Sequence, residues 1–528
     1  MQSNIFRNAV LCAAALFVAS VAGAQQWQFV GTRAMGMGGA GVATAVGPDA
    51  QYWNPAGLAQ PEDNKRTHIL LDGGASLEAT KDTLDGVREL TEMTRQYKSL
   101  KNAITSGNKA SADNIDTLFK GLNNIAKMLG NDMGALAHAN AGLGVTMKNF
   151  AVGIRTLGTG AITPVVDTKR LEFYTGGYTL IGDPHAYATL NPVQRTAAEV
   201  LAAAIDANGI FDSLRTLLNA GSCANSLELA TALVDAARSY IGVSDEKILR
   251  AFSDAADYIP GASALINLAG NAEGSYKDNE TLVMVDAATF AEAGLGYGQQ
   301  VIPGLKVGGN FKVISGYTAQ SGVMVLTKDE KIKEIFDKAY DNKKNSTNIG
   351  IDVGVMGNLS QLLDKEIFWN PQFGLTARNI NSPRFARPDP PSDINAAIVR
   401  NWRTEKYELK PQLRAGVAVN PSKRLTAAAD IDVTENDTLL DTIKSRQLAL
   451  GLEFNVINHP RFTMPLRVGY NKNIAVSTVS PFYTAGIGFN TTRFHIELAG
   501  AMSTKSTKID GKDIPNSAAG SLTIGFLF

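Results

Sequence analysis

Along much of this chain, and up to its last residue, apolar and polar side chains alternate one by one over stretches of ten or so. In Gln447 to Val456 the apolar set is Leu448, Leu450, Leu452, Phe454 and Val456, with Gln447, Ala449, Gly451, Glu453 and Asn455 between them. Phe494, Ile496, Leu498 and Met502 repeat this against His495 and Glu497, and Leu522, Ile524, Phe526 and Phe528 repeat it against Ser521, Thr523 and Gly525. Successive side chains of a strand point to opposite faces, so each stretch reads as a strand with one greasy face. A soluble sandwich turns that face inward and a membrane barrel turns it to lipid, and the alternation by itself is compatible with both.

The first residues narrow the choice. Arg7, the apolar core Ala9 to Val21 and the small-residue Ala22-Gly23-Ala24 make residues 1–24 a cleavable export signal, with Gln25 as the mature N-terminus. No later segment has the roughly eighteen consecutive apolar residues of a membrane-spanning helix. An exported chain without such a helix is periplasmic, secreted or a closed barrel, the barrel being the other structure that satisfies its backbone in lipid. Lys plus Arg equals Asp plus Glu at 50 each, so no net field favours nucleic acid. Once the leader carrying Cys12 is removed, Cys223 is the single cysteine, which excludes an intramolecular disulfide and a thiolate zinc cluster.

Strands are expected at His68 to Ala79, Ala137 to Met147 and Phe150 to Val166, then at about 281–299, 305–326, 346–358, 370–380, 409–419, 425–435, 445–457, 461–474, 481–490, 492–503 and 518–528. That makes about fourteen. Tight turns such as Lys148-Asn149, Ile302-Pro303-Gly304, Asn420-Pro421-Ser422 and Asn458-His459-Pro460 fall on every second connection, and the long connections fall on the others. Outer-membrane barrels have this parity, with short periplasmic turns and long external loops. The fold class expected is therefore an all-β membrane protein: an antiparallel transmembrane β-barrel of about fourteen strands, residues 67–528, in the outer membrane of a Gram-negative cell. Its partner on the outside is outer-membrane lipid.

Two inserts break the β pattern. At about 82–136, Leu84, Val87, Leu90, Met93, Tyr97, Leu100 and Ile104, and then Ile115, Leu118, Leu122, Ile125 and Leu129, recur every three or four positions, a helical hairpin turning at Ser106-Gly107-Asn108. At about 167–280, Gln194 to Ala207, Leu227 to Ile241 and Asp245 to Tyr258 read as helices, the last capped by Ser244. Their apolar stripes either pack on each other as a cap or dock a protein partner.

Residues 25–66 form an N-terminal hatch in this reading. Gly31 to Leu58, GTRAMGMGGAGVATAVGPDAQYWNPAGL, is too rich in glycine for an efficient helix or strand and needs a wall around it. Gly36, Gly38, Gly39 and Gly41 are expected to remain deformable, while Asn54, Pro55 and Ala56 with Gly57 fold the chain back and set the plug's position. Gly36, Gly38 and Gly41 also match G-x-G-x-x-G. A dinucleotide site needs a strand before and a helix after, and here an export signal precedes and Gly47-Pro48-Asp49 and Asn54-Pro55 follow. A flexible leader is the plainer alternative.

GTRAMGMGGAGVATAVGPDAQYWNPAGLA resembles the N-terminal signature of FadL-type outer-membrane barrels. PQFGLTARNINSP, LRAGVAVNPSKRLTAAADIDV, GLEFNV, PLRVGYN and YTAGIGF resemble the strands of its PorV-like and plasmid-transfer TraF-like branch. The resemblance implies fourteen strands, a hatch carrying Asn54-Pro55-Ala56, and a gated passage for a hydrophobic small-molecule ligand that leaves sideways at a kinked third strand, for which Gly158 and Gly160 are the candidates. It also admits a second role, an assembly or interaction protein of conjugal transfer or secretion.

The lumen-facing charges are Lys312, Asp352, Arg378, Arg414, Asp430, Asp432, Glu453, Arg467, His495 and Glu497. They form either a polar path or, the weightier reading, ion pairs holding barrel and hatch in register. Asp430 and Asp432 share a face but face arginines. The five His lack metal-ligand spacing, and neither G-x-S-x-G nor a phosphate loop is present, so no catalytic residue, metal or cofactor is assigned and the chain is read as a non-enzyme.

Overall fold

The computed structural model describes residues 24–59, 67–80, 111–128, 134–170, 181–240, 242–270, 278–324, 332–392, 394–441, 443–509 and 512–528. Cleavage of residues 1–24 and the first arm of the helical hairpin, Leu84 to Ile104 with its turn, lie outside these.

Fourteen strands close an antiparallel barrel. In chain order they are β1 His68–Ala79, β2 Ala135–Met147, β3 Phe150–Val165, β4 Leu282–Ile302, β5 Leu305–Met324, β6 Lys344–Asn358, β7 Gln372–Arg378, β8 Gln412–Ser422, β9 Leu425–Asp432, β10 Gln447–His459, β11 Phe462–Asn473, β12 Phe482–Thr491, β13 Phe494–Ser503 and β14 Ser517–Leu527. Each expected strand is present. The wall closes where β1 meets β14, His68 opposite Leu527 and Glu78 opposite Ser517. Register shifts fall at the short-turn rim, between Gln300 and Ile302, Val419 and Ser422, and Asn455 and Ile457.

The greasy faces point outward. Leu450, Leu452, Phe454, Leu498, Met502, Leu522 and Phe526 are exposed, whereas Gln447, Glu453, Glu497, Ser521 and Thr523 are buried. Closure leaves no sheet edge, so the backbone is satisfied and apolar side chains can face lipid. Among the described residues no helix is long and apolar enough to cross a membrane.

At the long-loop end the two inserts fold together. α3 Ala112–Met128 of the first insert packs with α4 Pro192–Ala207, α5 Phe211–Leu217, α6 Ser226–Arg238 and α7 Asp245–Gly270 of the second; α1 and α2 are short turns of the N-terminal segment, Thr32–Gly36 and Ala50–Trp53. Ile115, Phe119, Leu122, Leu201, Leu233, Phe252 and Leu265 share one buried core, which reaches the barrel at Val283. The stripe of α3 thus packs against the second insert. Asn191 caps α4 in a capping box with Gln194, and the Ser244 hydroxyl accepts from the Lys247 amide at 3.2 Å. Two features go beyond the expectation. α5 was not foreseen, and α7 runs on past Tyr258 through Pro260 because Ala262, Leu265 and Ile266 bury beyond it.

Candidate functional site

Inside the wall lies the N-terminal segment. Its backbone enters at Ala24–Gln25, paired in parallel with Asn436–Asp437 of the long β9–β10 loop. It reaches Ala59 before β1 starts at the opposite rim. Asp437 is held below the usual carboxylate range: burial pushes it up, but the hydrogen bonds and charges of Lys444 and Lys410 outweigh that.

Between those ends, residues 26–54 hydrogen-bond to thirteen of the fourteen strands. Gln26 donates to Glu78 of β1 at 3.0 Å, Asn140 of β2 to the Phe29 carbonyl at 3.1 Å, and Gln28 to Thr159 of β3 at 3.2 Å. Gln51 donates to the Gly294 carbonyl of β4 at 3.4 Å and accepts from Asn310 of β5. Asn54 reaches β6 and β7, and Arg414 of β8 donates to the Gly39 carbonyl at 3.1 Å. Asp430 of β9 accepts from the Gly41 and Val42 amides at 2.8 and 2.9 Å. Arg33 pairs with Glu453 of β10 at 2.9 Å, Asn471 of β11 donates to the Gly38 carbonyl at 2.8 Å, and Thr484 of β12 donates to the Gly36 carbonyl at 3.0 Å. Thr32 meets Thr523 of β14 at 2.6 Å, and α1 packs against β13.

Several of these glycines sit where there is no room for a side chain. Gly38 and Gly39 have φ of 69° and 91°, and a side chain on Gly38 would run into the backbone of Leu450 and Tyr470. Wall glycines reciprocate: a methyl on Gly308 would land on Pro55, on Gly374 on Val42, on Gly451 on Met37, and on Gly469 on the backbone at Met37 and Gly38. The run Gly36 to Gly41 is therefore a place of close contact with the wall and with the segment itself.

Asn54 is fully buried. Its amide donates to the carbonyls of Val42 and Val355 at 3.0 Å each and Leu375 at 3.4 Å, and its carbonyl accepts from Ala56 at 3.1 Å. Pro55 opens the 3-10 turn Pro55–Leu58, and a side chain on Gly57 would strike the Ala45 carbonyl. The chain folds back at this point.

The lumen charges sit in networks. Arg414 pairs with Asp432 at 3.0 Å and Asp430 at 3.6 Å. Arg467 pairs with Glu453 at 2.7 Å and Glu497 at 2.8 Å, and Lys312 bridges Glu292 and Asp352 at 3.2 and 3.1 Å. Arg378 lies 3.4 Å from Glu292. His495 packs edge-on to His68, ring centres 5.0 Å apart. Gly158 and Gly160 face Ala139 and Ala137 on one side and Thr289 and Ala287 on the other in unbroken ladders.

A second cluster escaped the sequence reading. Trp27 stacks on Trp53, centres 5.8 Å apart, and Tyr52 stands edge-on to both. The Arg378 guanidinium lies 4.1 Å over the Tyr52 ring, and Arg414 lies 5.5 Å from both tryptophans. Two like charges on neighbouring strands are thus accommodated by aromatic faces. Three large aromatics in a stretch of otherwise small residues were the available signal. Arg155, bridging Asp72 at 2.6 Å and Asp49 at 3.3 Å, was also missed.

Two lumen cavities measure about 10 and 30 Å³. At the long-loop mouth a cavity of about 360 Å³ lies between β5, the helix Ile332–Asp341 and the β7–β8 loop, with Met324, Ile394, Ile398 and Trp402 in its wall.

A family model described as "F plasmid transfer operon, TraF, protein" matches residues 51–432, from α2 to the end of β9. The chain belongs to this TraF family. Both helical inserts fall inside the matched span. Among solved structures, the Pseudomonas putida toluene transporter TodX is similar at 9% identity and a TM-score of 0.37, over 94% of this chain and 96% of that one. A Pseudomonas aeruginosa FadL homologue is similar at 9% identity and a TM-score of 0.40, over 96% and 99%. The monoaromatic hydrocarbon channel CymD is similar at 9% and 0.40, over 94% and 96%. No curated protein sequence matches this TraF-family chain.

Proposed function

We propose that this protein is an outer-membrane barrel closed at rest by residues 25–66 as a hatch, and that it admits a hydrophobic small molecule when the hatch shifts. It is not an enzyme in this reading: its charged groups hold one another rather than face open space. The observation that supports the proposal is the ring of hydrogen bonds from residues 26–54 to the wall. One part of the mouth cavity supports the ligand class, because Met324, Ile394, Ile398 and Trp402 are apolar, while Gln320, Lys338, Asp341, Asn342 and Asn395 line the rest. The polar, ion-paired lumen below is a poor route for an apolar molecule, so passage requires the hatch to rearrange.

A fluorescent naphthylamine binding to purified protein tests this. Trp402→Ala removes an aromatic wall worth about 1.5–3 kcal/mol and should weaken binding about tenfold or more. Unchanged binding in that variant would remove the mouth as the capture site.

A second reading has its own support. Membership in a family described by plasmid transfer, and a cap whose helices form their own core, favour a docking role for another protein in conjugation. If so, replacing 181–270 by a short linker should abolish plasmid transfer while leaving naphthylamine binding intact.

A further inference from the structure

On the long-loop side the wall is uneven. β7 stops at Arg378, facing Gln412 of β8, whereas β6 runs on outward from Asp352 to Lys344 with β5 beside it. The loop that joins β7 to β8, described at 379–392 and 394–411, turns inward along this taller sector. Its Ile380 amide donates to the Ile351 carbonyl of β6 at 3.0 Å. The chain then crosses to the inner face, where the Ala386 amide donates to the Ser346 hydroxyl of β6 at 2.9 Å and the Ala386 carbonyl accepts from Thr318 of β5 at 2.6 Å.

Phe385 fixes the crossing. It has no exposed surface, and its ring fills the space that Gly316 of β5 leaves by lacking a side chain. It packs with Phe290 of β4, ring centres 4.9 Å apart, and shares a core with Ala288, Ile314 and Leu409. Phe290 is followed two residues on by Glu292, and Ile314 is preceded two residues back by Lys312, so this apolar layer rests on the paired charges of the lumen. Arg378, beside Glu292, lies in turn over Tyr52 of the N-terminal segment. The order inward is loop, charge layer, segment. Higher up, Arg387 and Arg403 close on the buried Asp286 of β4 at 3.4 and 3.6 Å, and Gln320 of β5 exchanges hydrogen bonds of 3.0 and 3.2 Å with the Arg403 backbone.

The β9–β10 loop crosses the lumen. Its Leu439, Leu440 and Ile443 bury against Leu136 of β2 and Ala161 of β3, strands half-way round the ring from β9 and β10. Tyr407 of the first loop packs against both this cluster and that of Phe385. Arg403 also pairs with Asp441 at 2.8 Å, and Lys410 with Asp437 at 3.0 Å, so the two loops are tied to each other. We infer that they form a lid folded into the barrel, a second closure stacked on the N-terminal segment and latched at Asp286. The mouth cavity lies on the lid's outer face, since Ile394, Ile398 and Trp402 belong to the same loop, and a captured molecule meets the lid before the segment. Lid and segment join where Asn436–Asp437 pair with Ala24–Gln25, so removing the segment loosens the lid without removing it.

Four proteins separate the lid from the N-terminal closure on whose reading it rests: the intact chain, the chain lacking Gln25 to Leu58, the chain with 380–410 replaced by a short Gly-Ser turn, and the chain with both changes. Arg378 and Gln412 are facing partners, so a short turn can join β7 to β8. Heat-modifiable mobility verifies insertion, and planar bilayers read the conductance. The doubly changed barrel is expected to conduct severalfold more than the barrel lacking Gln25 to Leu58 alone. Equal conductance of those two would overturn the lid and leave the N-terminal closure standing. Steady conductance in the protein that has lost only its loop would overturn the N-terminal closure and keep the lid. Should the loop replacement fail to insert, Asp286→Asn with Arg387→Gln and Arg403→Gln, placed in the barrel lacking Gln25 to Leu58, cuts the latch without stranding a buried charge. A new, higher conductance level is then expected, and a trace unchanged from that parent would overturn the lid.

Discussion

Asn54 shows how one side chain fixes a segment. It has no exposed surface, and its amide group closes the segment's own turn at Ala56 while reaching the wall at Val355. Asn54→Leu keeps the bulk and removes every bond, stranding buried carbonyls and an amide at about 1–3 kcal/mol each. The expected outcome is a barrel that still inserts but whose residues 25–58 are cut by added protease, where the wild type resists. Gly308→Val approaches the same contact from the wall, because its side chain would occupy the place of the Pro55 carbonyl. It should produce the same cleavage, and resistance equal to wild type would mean that Pro55 does not bear on β5. The turn-forming role of Asn54-Pro55 is readable locally, since it follows from ring and amide geometry. That Gly308, Gly374 and Gly451 receive the N-terminal segment is not, because each partner lies hundreds of residues away.

At the scale of elements, the strands were legible because their period is local and closure needs only parity. The lumen charges were legible as a set, but not as pairs. Arg467 serves both Glu453 of β10 and Glu497 of β13, across the intervening Gly486 of β12, and Arg33 of the N-terminal segment joins at Glu453. Arg467→Met should therefore leave two carboxylates poorly compensated and cost about 3–5 kcal/mol, seen as a lower temperature of heat modification. Adding Glu453→Gln and Glu497→Gln should recover most of the loss. Failure to recover would mean that Arg467 acts through packing rather than charge. The helices were legible only in part: α7 continues through Pro260 because buried side chains beyond it outweigh the lost hydrogen bond, and burial is not a local property of sequence. The stacking of Trp27, Tyr52 and Trp53 on Arg378 and Arg414 was hidden for the same reason.

For the whole molecule, the parts form one device: an outward apolar belt, a wall lined with paired charges, a segment bonded around nearly the whole circumference, and a helical cap over the mouth. The segment contributes Arg33, Trp27, Trp53 and a row of backbone amides to networks whose other members are on the wall, so barrel and segment stabilise each other. The central claim is that this segment closes the barrel. The most direct measurement is the conductance, in planar bilayers, of protein lacking Gln25 to Leu58 beside the intact chain. The truncated protein is expected to insert, with heat-modifiable mobility, and to conduct steadily where the intact protein is closed or flickers, with Asn54→Ala/Pro55→Ala between the two. Equal conductance of the intact and truncated barrels would contradict the account.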